Sequence, residues 1–220
     1  MAISALLFDA YGTLFDVHSV VDRCEQLWPG KGAAISLLWR TKQLEYTWQR
    51  TLMGKYENFE QITADGLRYA CATLKLECTE AHLSALMDEY RRLATFPEIS
   101  AVLPMLKDRK LAILSNGSPD MLEAVVRHNG LDSVLNAVIS VDDLKIYKPD
   151  PRVYQLALVK LNVSKQSIGF VSSNCWDACG AASFGFRAFW INRTGAPVDM
   201  LGVEPEAVIT NLADLLPLLT

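Results

Sequence analysis

The sequence predicts an α/β fold: a doubly wound parallel sheet carrying an α-helical insertion after its first strand. Three observations predict it. The chain opens on an unbroken apolar run, ISALLF at residues 3–8, which suits a strand buried on both faces. From about residue 97 onward, strand-like and helix-like stretches alternate, the order that builds parallel sheets. Between these parts, residues from about 17 to 95 carry helical periodicity alone. The 220 residues, half of them hydrophobic, suffice for one large domain or for a domain with an insertion.

Each element has its own signal. SLLWRTKQLEYTWQRTLM (36–53) reads as a long, aromatic-rich amphipathic helix, and FEQITADGLRYACATLKL (59–76) as a second. TEAHLSALMDEYRRLA (79–94) starts at a Thr79 N-cap and places Leu83, Leu86, Met87, Tyr90 and Leu93 on one face. FPEIS (96–100) breaks the run. KLAILSNG (110–117) is a strand ending in polar residues, after which Ser118-Pro119 caps and opens a helix that stops at Gly130. NAVIS (136–140) is a strand, Asp150-Pro151 opens the helix RVYQLALVKL, and IGFVSSN (168–174) leads into the helical CWDACGAASFG. RAFWIN (187–192) and AVIT (207–210) are short strands, and NLADLLPLL closes the chain. The expected division is a core of residues 1–15 and 97–220 and a helical cap of 16–96 lying over the strand ends.

Ligands of open α/β sheets bind at the carboxyl ends of the strands. Four polar segments converge there: Asp9-Ala10-Tyr11-Gly12-Thr13, Ser115-Asn116-Gly117, Lys148-Pro149-Asp150, and Ser172-Ser173-Asn174 with Trp176-Asp177. Any one of them reads equally as a turn, a solvated lysine or a helix-dipole aspartate. Four on one edge of one sheet mark a site.

Composition excludes other classes. The net charge is −4 without a long run of one sign, so no polyanion-binding face is expected and nucleic acid is not a partner. No apolar run reaches the ~18–20 residues of a membrane span, and the N-terminus has no basic region of the signal-peptide kind. Five scattered cysteines without a C-x-x-C suit reduced thiols in a cytoplasm; Cys175 and Cys179 read as small buried hydrophobes. None of the three histidines ends a strand, so a Ser-His-Asp or histidine-metal mechanism has no support.

Asp9 and Thr13 on the first strand, Ser115 ending the second, Lys148 before a helix and an acidic loop after the next strand resemble the haloacid dehalogenase superfamily, with its Rossmann-like core and helical cap. Most of that superfamily are magnesium phosphatases with D-x-D-x-T on the first strand and two acids in the last loop. Here the second acid is replaced by Tyr11, and SSNCWD keeps only Asp177. LLFDAYGTLFD, Arg40, SNG, YKPDPRVY and SSNCWD resemble the L-2-haloacid dehalogenase branch. Halide leaves without a proton, so no general acid is needed beside the nucleophile.

The resemblance implies that Asp9 attacks the α-carbon and Lys148 orients it. Thr13 bonds the Asp9 side of its loop, and Tyr154 holds Lys148. Asp177, held by Ser172 and Asn174, helps activate water. Ser115 and Asn116 bind the substrate carboxylate and Arg40 receives the halide. Ala10, Tyr11, Leu44, Phe59 and Trp176 complete the substrate pocket; Leu44 and Phe59 also read as ordinary core packing. The implied substrate is a 2-haloalkanoic acid, with no metal or other cofactor, in a homodimer whose interface includes the helix at 36–53. A magnesium-dependent phosphatase or phosphonatase of the same superfamily is the alternative.

Overall fold

The computed structural model describes residues 2–219. Strand β1 (Ala5–Phe8) lies at the middle of a six-stranded sheet in the order β3-β2-β1-β4-β5-β6. Its neighbours are β2 (Lys110–Ser115) and β4 (Ile168–Ser172), and every pairing in the sheet is parallel. The outer strands are β3 (Ala137–Ser140), β5 (Arg187–Ile191) and β6 (Ala207–Ile209). Ala5, Leu6, Leu7 and Phe8 are fully buried, as the uninterrupted apolar run predicts for a strand covered on both faces. Phe8 is level with Ile113 of β2 and Val171 of β4, so Asp9 emerges between two strand ends where the order of connection reverses. The Asp9 amide extends the ladder by donating to the Val171 carbonyl at 2.9 Å.

The helical layer follows β1 with four helices, α1 (His18–Leu27), α2 (Gly32–Met53), α3 (Phe59–Thr73) and α4 (Glu80–Tyr90). The inward stripe of α2 is Ile35, Trp39, Gln43 and Thr47, one residue per turn and all buried. It meets α3 closely at Gly66, where an added Cβ would lie 3.2 Å from the Trp39 ring. Polar groups in that seam pair with each other: Trp39 Nε1 donates to the Thr63 carbonyl and Gln43 Nε2 to Thr63 Oγ1, both at 2.7 Å. Thr79 caps α4 as expected, within a reciprocal capping box formed with His82.

The remaining helices are α5 (Ile99–Met105), α6 (Pro119–His128), α7 (Pro151–Leu161) and α8 (Cys175–Phe184), and a 3₁₀ segment over Leu212–Leu219 ends the described chain. Two local expectations need correction. FPEIS is only partly a break, because Ile99 and Ser100 already belong to α5 and the Ile99 side chain anchors it in the core. Ser118 does not cap α6 with its side chain: its hydroxyl is buried and lacks a hydrogen-bond partner among the described residues, and Pro119 at the first helical position sets the start instead.

The chain crosses between the helical layer and the sheet twice, at residues 12–16 and 94–96. These crossings are bonded together, Asp16 N to Ala94 O at 2.8 Å and Phe96 N to Leu14 O at 3.1 Å. The termini of the expected core segments, Met1 and Thr220, lie outside the described residues. Among the described residues no helix is long and apolar enough to cross a membrane.

Candidate active site

Asp9, at the end of the central strand, is 7% exposed. Three donors hold its carboxylate: Lys148 Nζ on Oδ1 at 3.1 Å, Asn174 Nδ2 on Oδ2 at 3.1 Å, and Thr13 Oγ1 on Oδ2 at 3.2 Å. The Lys148 ammonium also donates to Asp177 Oδ2 at 2.9 Å, so one buried cation bridges two carboxylates. Burial alone would lower the Lys148 pKa, but Asp177 and Asp9 outweigh it and raise it above the ordinary lysine value. Burial pushes the Asp177 carboxyl above the usual aspartate range, assisted by the Asp9 charge and opposed by Lys148 and Tyr154.

Two expected contacts fall differently. Tyr154 does not hold Lys148: its hydroxyl donates to Asp177 Oδ1 at 2.8 Å. Asp177 is not held by the side chains of Ser172 and Asn174. Ser172 Oγ accepts the Asn174 amide at 3.1 Å, and the Asn174 side chain faces Asp9. The turn from β4 into α8 explains both. Asn174 sits at the N-cap and points across the sheet edge, whereas Asp177, three residues on, turns inward toward α7. Gly180, which the sequence reading missed, makes this possible, since an added Cβ there would lie 2.6 Å from the Tyr154 hydroxyl.

Above Asp9 lies a cavity of about 20 Å³ bordered by Asp9, Tyr11, Arg40, Leu44, Phe59, Ser115, Asn116, Asn174 and Trp176. Thr13, Lys148, Tyr154, Ser172 and Asp177 form the layer behind it. Ala10 does not border it; its carbonyl instead accepts the amides of Thr13, Leu14 and Phe15 and shapes the turn. Ser115 Oγ accepts the Gly117 amide at 3.0 Å and Asn116 Oδ1 accepts the Lys148 amide at 3.0 Å, which leaves the serine proton and the asparagine NH₂ as donors for an anion.

Helix α2 supplies a cation to the cavity. Arg40 donates to Asn174 Oδ1 at 3.3 Å and to Gln43 Oε1 at 2.6 Å. A chain of hydrogen bonds therefore runs from Thr63 through Gln43, Arg40 and Asn174 to Asp9. Gln43 was not foreseen; a glutamine one turn beyond Trp39 on the buried stripe is the signal that could have found it. Tyr11 stacks on Phe59 with ring centroids 6.0 Å apart, and Trp48 meets Trp176 edge-on at 5.4 Å. Burial, then the neighbouring Tyr90, holds the Tyr11 phenol above its ordinary pKa. Larger clefts elsewhere lack such a constellation: the groove of about 580 Å³ along α6 and β3 carries only exposed pairs such as Arg127–Glu123 and Lys160–Asp143.

The family model of haloacid dehalogenase-like hydrolases matches residues 3–185. An (S)-2-haloacid dehalogenase of Pseudomonas sp. (strain YL) is 52% identical over 212 residues, 96% of this chain and 91% of that protein. The crystal structure of an L-2-haloacid dehalogenase superposes with a TM-score of 0.98 at 48% identity, covering 100% of this chain and 99% of that one. The L-2-haloacid dehalogenase of Xanthobacter autotrophicus with chloropropionic acid covalently bound is also similar, with a TM-score of 0.90 at 41% identity and coverage of 97% and 96%.

Proposed function

The chain belongs to the haloacid dehalogenase-like hydrolase family, and from that premise we propose that it is an (S)-2-haloacid dehalogenase, converting L-2-haloalkanoic acids to D-2-hydroxyacids. The observation that carries this reading is the acid set at the strand ends: Asp177 joins Asp9 with the Lys148 ammonium between them, 3.1 and 2.9 Å away, and among the described residues no group of three or more His, Cys, Asp or Glu side chains gathers there as a magnesium phosphatase would need for its divalent ion. A second supports it: the position of the phosphatase's proton donor holds Tyr11, a buried phenol whose pKa lies above its ordinary value, in place of a carboxylic acid.

Asp9 attacks the α-carbon from the side opposite the halogen, an aspartyl ester forms, and halide departs toward Arg40. Ser115 and Asn116 hold the substrate carboxylate so that the attack is aligned. Lys148, Thr13 and Asn174 fix the nucleophile. Water then attacks the ester carbonyl of Asp9, with Asp177 as the base that takes one of its protons, Tyr154 and Lys148 orienting that base and Ser172 supporting the Asn174 turn; the acyl–oxygen bond breaks, the hydroxyacid leaves with the other proton of that water, the Asp9 carboxylate is restored, and Asp177 passes its proton to solvent. Inversion happens once, at carbon. Tyr11, Leu44, Phe59 and Trp176 wall in the alkyl group and halogen, and Ala10 contributes through its backbone turn. We divide the chain into a core of residues 1–15 and 97–220 and a cap of 16–96, meeting at this cavity. The active unit is a homodimer, supported by the exposed Leu37 on α2 and Tyr69 on α3, and its compartment is the cytoplasm, supported by five free cysteines.

The test is chloride release from L-2-chloropropionate in excess EDTA, with p-nitrophenyl phosphate as the rival substrate. Turnover of the haloacid under EDTA is expected, with little phosphate release. Activity lost in EDTA and restored by Mg²⁺ would return the site to the phosphatase reading.

A further inference from the structure

We propose that Arg193, just beyond the end of β5, is a positioning residue that pins the two chain crossings between core and cap and, through Thr13, holds the nucleophile Asp9 in place. This rests on the dehalogenase reading for its kinetic consequences and on the geometry for its structural ones. Its guanidinium makes three contacts at once. Nη2 donates to the Thr13 carbonyl at 3.2 Å, on the first crossing. Nη1 pairs with Glu98 Oε1 at 2.7 Å, and Cζ lies 3.7 Å from the centroid of the Phe96 ring, beside and on the second crossing. Arg193 and Glu98 are each only 19% exposed in their side chains, so the pair is more than a solvated contact.

The crossings are already joined to each other by Phe96 N on Leu14 O at 3.1 Å, and Arg193 ties that joint to the sheet. Thr13 is the link to chemistry. Its hydroxyl donates to Asp9 Oδ2 at 3.2 Å and accepts the Ser173 amide at 2.8 Å, while Trp190 of β5 fixes Ser173 by donating to its carbonyl at 3.0 Å. The end of β5 thus supports Thr13 from both sides, through Trp190 and Ser173 and directly through Arg193. A lysine keeps the charge but has no planar fork. It cannot hold the Thr13 carbonyl, the Glu98 carboxylate and the Phe96 face together. Glu98 also accepts the Leu212 amide at 3.4 Å, which anchors the arginine's partner to the C-terminal segment.

Arg193→Lys is compared with the wild type in single-turnover chloride release, each rate divided by the fraction of chains that form the Asp9 ester. The expected result is a loss of about 10- to 100-fold in the rate per competent site, the size of effect that a small misplacement of a reacting group produces, with KM little changed. A merely structural arginine would lower the competent fraction and the melting temperature while leaving the rate per site intact, and that result overturns the proposal. In a Thr13→Val background the penalty of Arg193→Lys should shrink to a few-fold, because the path to Asp9 is already cut; an undiminished penalty also overturns it. Amide hydrogen exchange at residues 12–16 and 94–96 should be faster in Arg193→Lys and in Glu98→Gln. If the wild type releases no halide from any L-2-haloalkanoate, the dehalogenase reading falls, and exchange still decides this one: unchanged protection of both crossings refutes it.

Discussion

The two walls of the active cavity are built on opposite plans. The core wall is ionic and fully paired: Asp9, Lys148, Asp177 and Tyr154 are buried and bonded in series, Asp9 at a strand end, Lys148 in the turn before α7, and Tyr154 and Asp177 in first helical turns. The cap wall is apolar, made of Leu44 and Phe59, with Arg40 as its one charge among the cavity-lining residues, and Trp48 beside it meets Trp176 of α8 across the cavity edge. The core wall pairs its charges at fixed distances, so loss of Lys148, the cation shared by Asp9 and Asp177, leaves uncompensated carboxylates in a dry interior. In the proposed reaction the cap wall sets shape and offers the Arg40 guanidinium to a departing anion. Reactivity and stability are therefore coupled in the core and separable in the cap.

The largest effect should follow from breaking the core network. Asp9→Asn removes the nucleophile, and turnover of L-2-chloropropionate should fall by about 10⁴-fold or more. Lys148→Met should abolish turnover as well and also destabilise the fold by roughly 3–5 kcal/mol, since two buried carboxylates lose their shared counter-charge. Urea denaturation of the two variants checks this. A Lys148→Met protein as stable as the wild type would show that the pairing is not what holds the wall together. Isotope labelling sharpens the point. A single turnover in H₂¹⁸O should place the label in the peptide containing Asp9 and leave the lactate unlabelled, whereas direct hydrolysis would label the lactate.

Arg40→Ala tests the other wall. Turnover should drop by about 10²-fold, as expected when one preorganised donor to a developing anion is removed, while stability changes by less than about 1 kcal/mol because the side chain is only partly buried. Loss of stability comparable to that of Lys148→Met would erase the distinction between the walls. Arg40→Lys should recover little, because a point charge cannot bond Gln43 and Asn174 together.

The same contrast explains what could be read in the sequence. The core side of the site was legible because strand ends have a periodic signature: an apolar run stops, polar residues follow, and parallel topology brings those ends to one edge. Asp9 and Ser115 are legible in that way, and Lys148 by the Pro-Asp-Pro helix start that follows it. Helices give no such marker. Arg40 on α2 looks like any exposed arginine, and only the resemblance singled it out. The partners within the network were misread for a related reason. Spacing along a chain cannot say which way a residue turns, and the rotation of α8 past Asn174 gave Tyr154 to Asp177 rather than to Lys148. Gly180 and Gln43 act through space they leave or fill on a neighbouring helix, which a single sequence does not display.

The smallest effect is the most discriminating, because it perturbs one hydrogen bond at the back of the core wall. Tyr154→Phe removes the donor to Asp177 Oδ1 and leaves Lys148 and Asp9 in contact. Burial already raises the Asp177 pKa above its ordinary value, and the tyrosine is one of the groups holding it down. Its loss raises that pKa further. If the carboxylate form of Asp177 activates water, the acid limb of kcat shifts to higher pH in Tyr154→Phe, with turnover at the optimum reduced by no more than about tenfold. Stability carries the same sign. A carboxyl whose folded pKa is raised favours the folded state fully below its unfolded pKa, and that contribution is lost as pH rises through the folded value. The variant, with the higher folded pKa, loses more, so its deficit against the wild type should widen from acid toward neutral pH. The neutral hydrogen bond, worth about 1 kcal/mol, is lost on the acid side, and the stronger bond to a charged acceptor is lost above. Denaturant midpoints at several pH values measure this directly. A deficit that stays constant with pH, together with an unmoved acid limb, would mean that Asp177 does not change ionisation in the working range and that another group takes the proton from water.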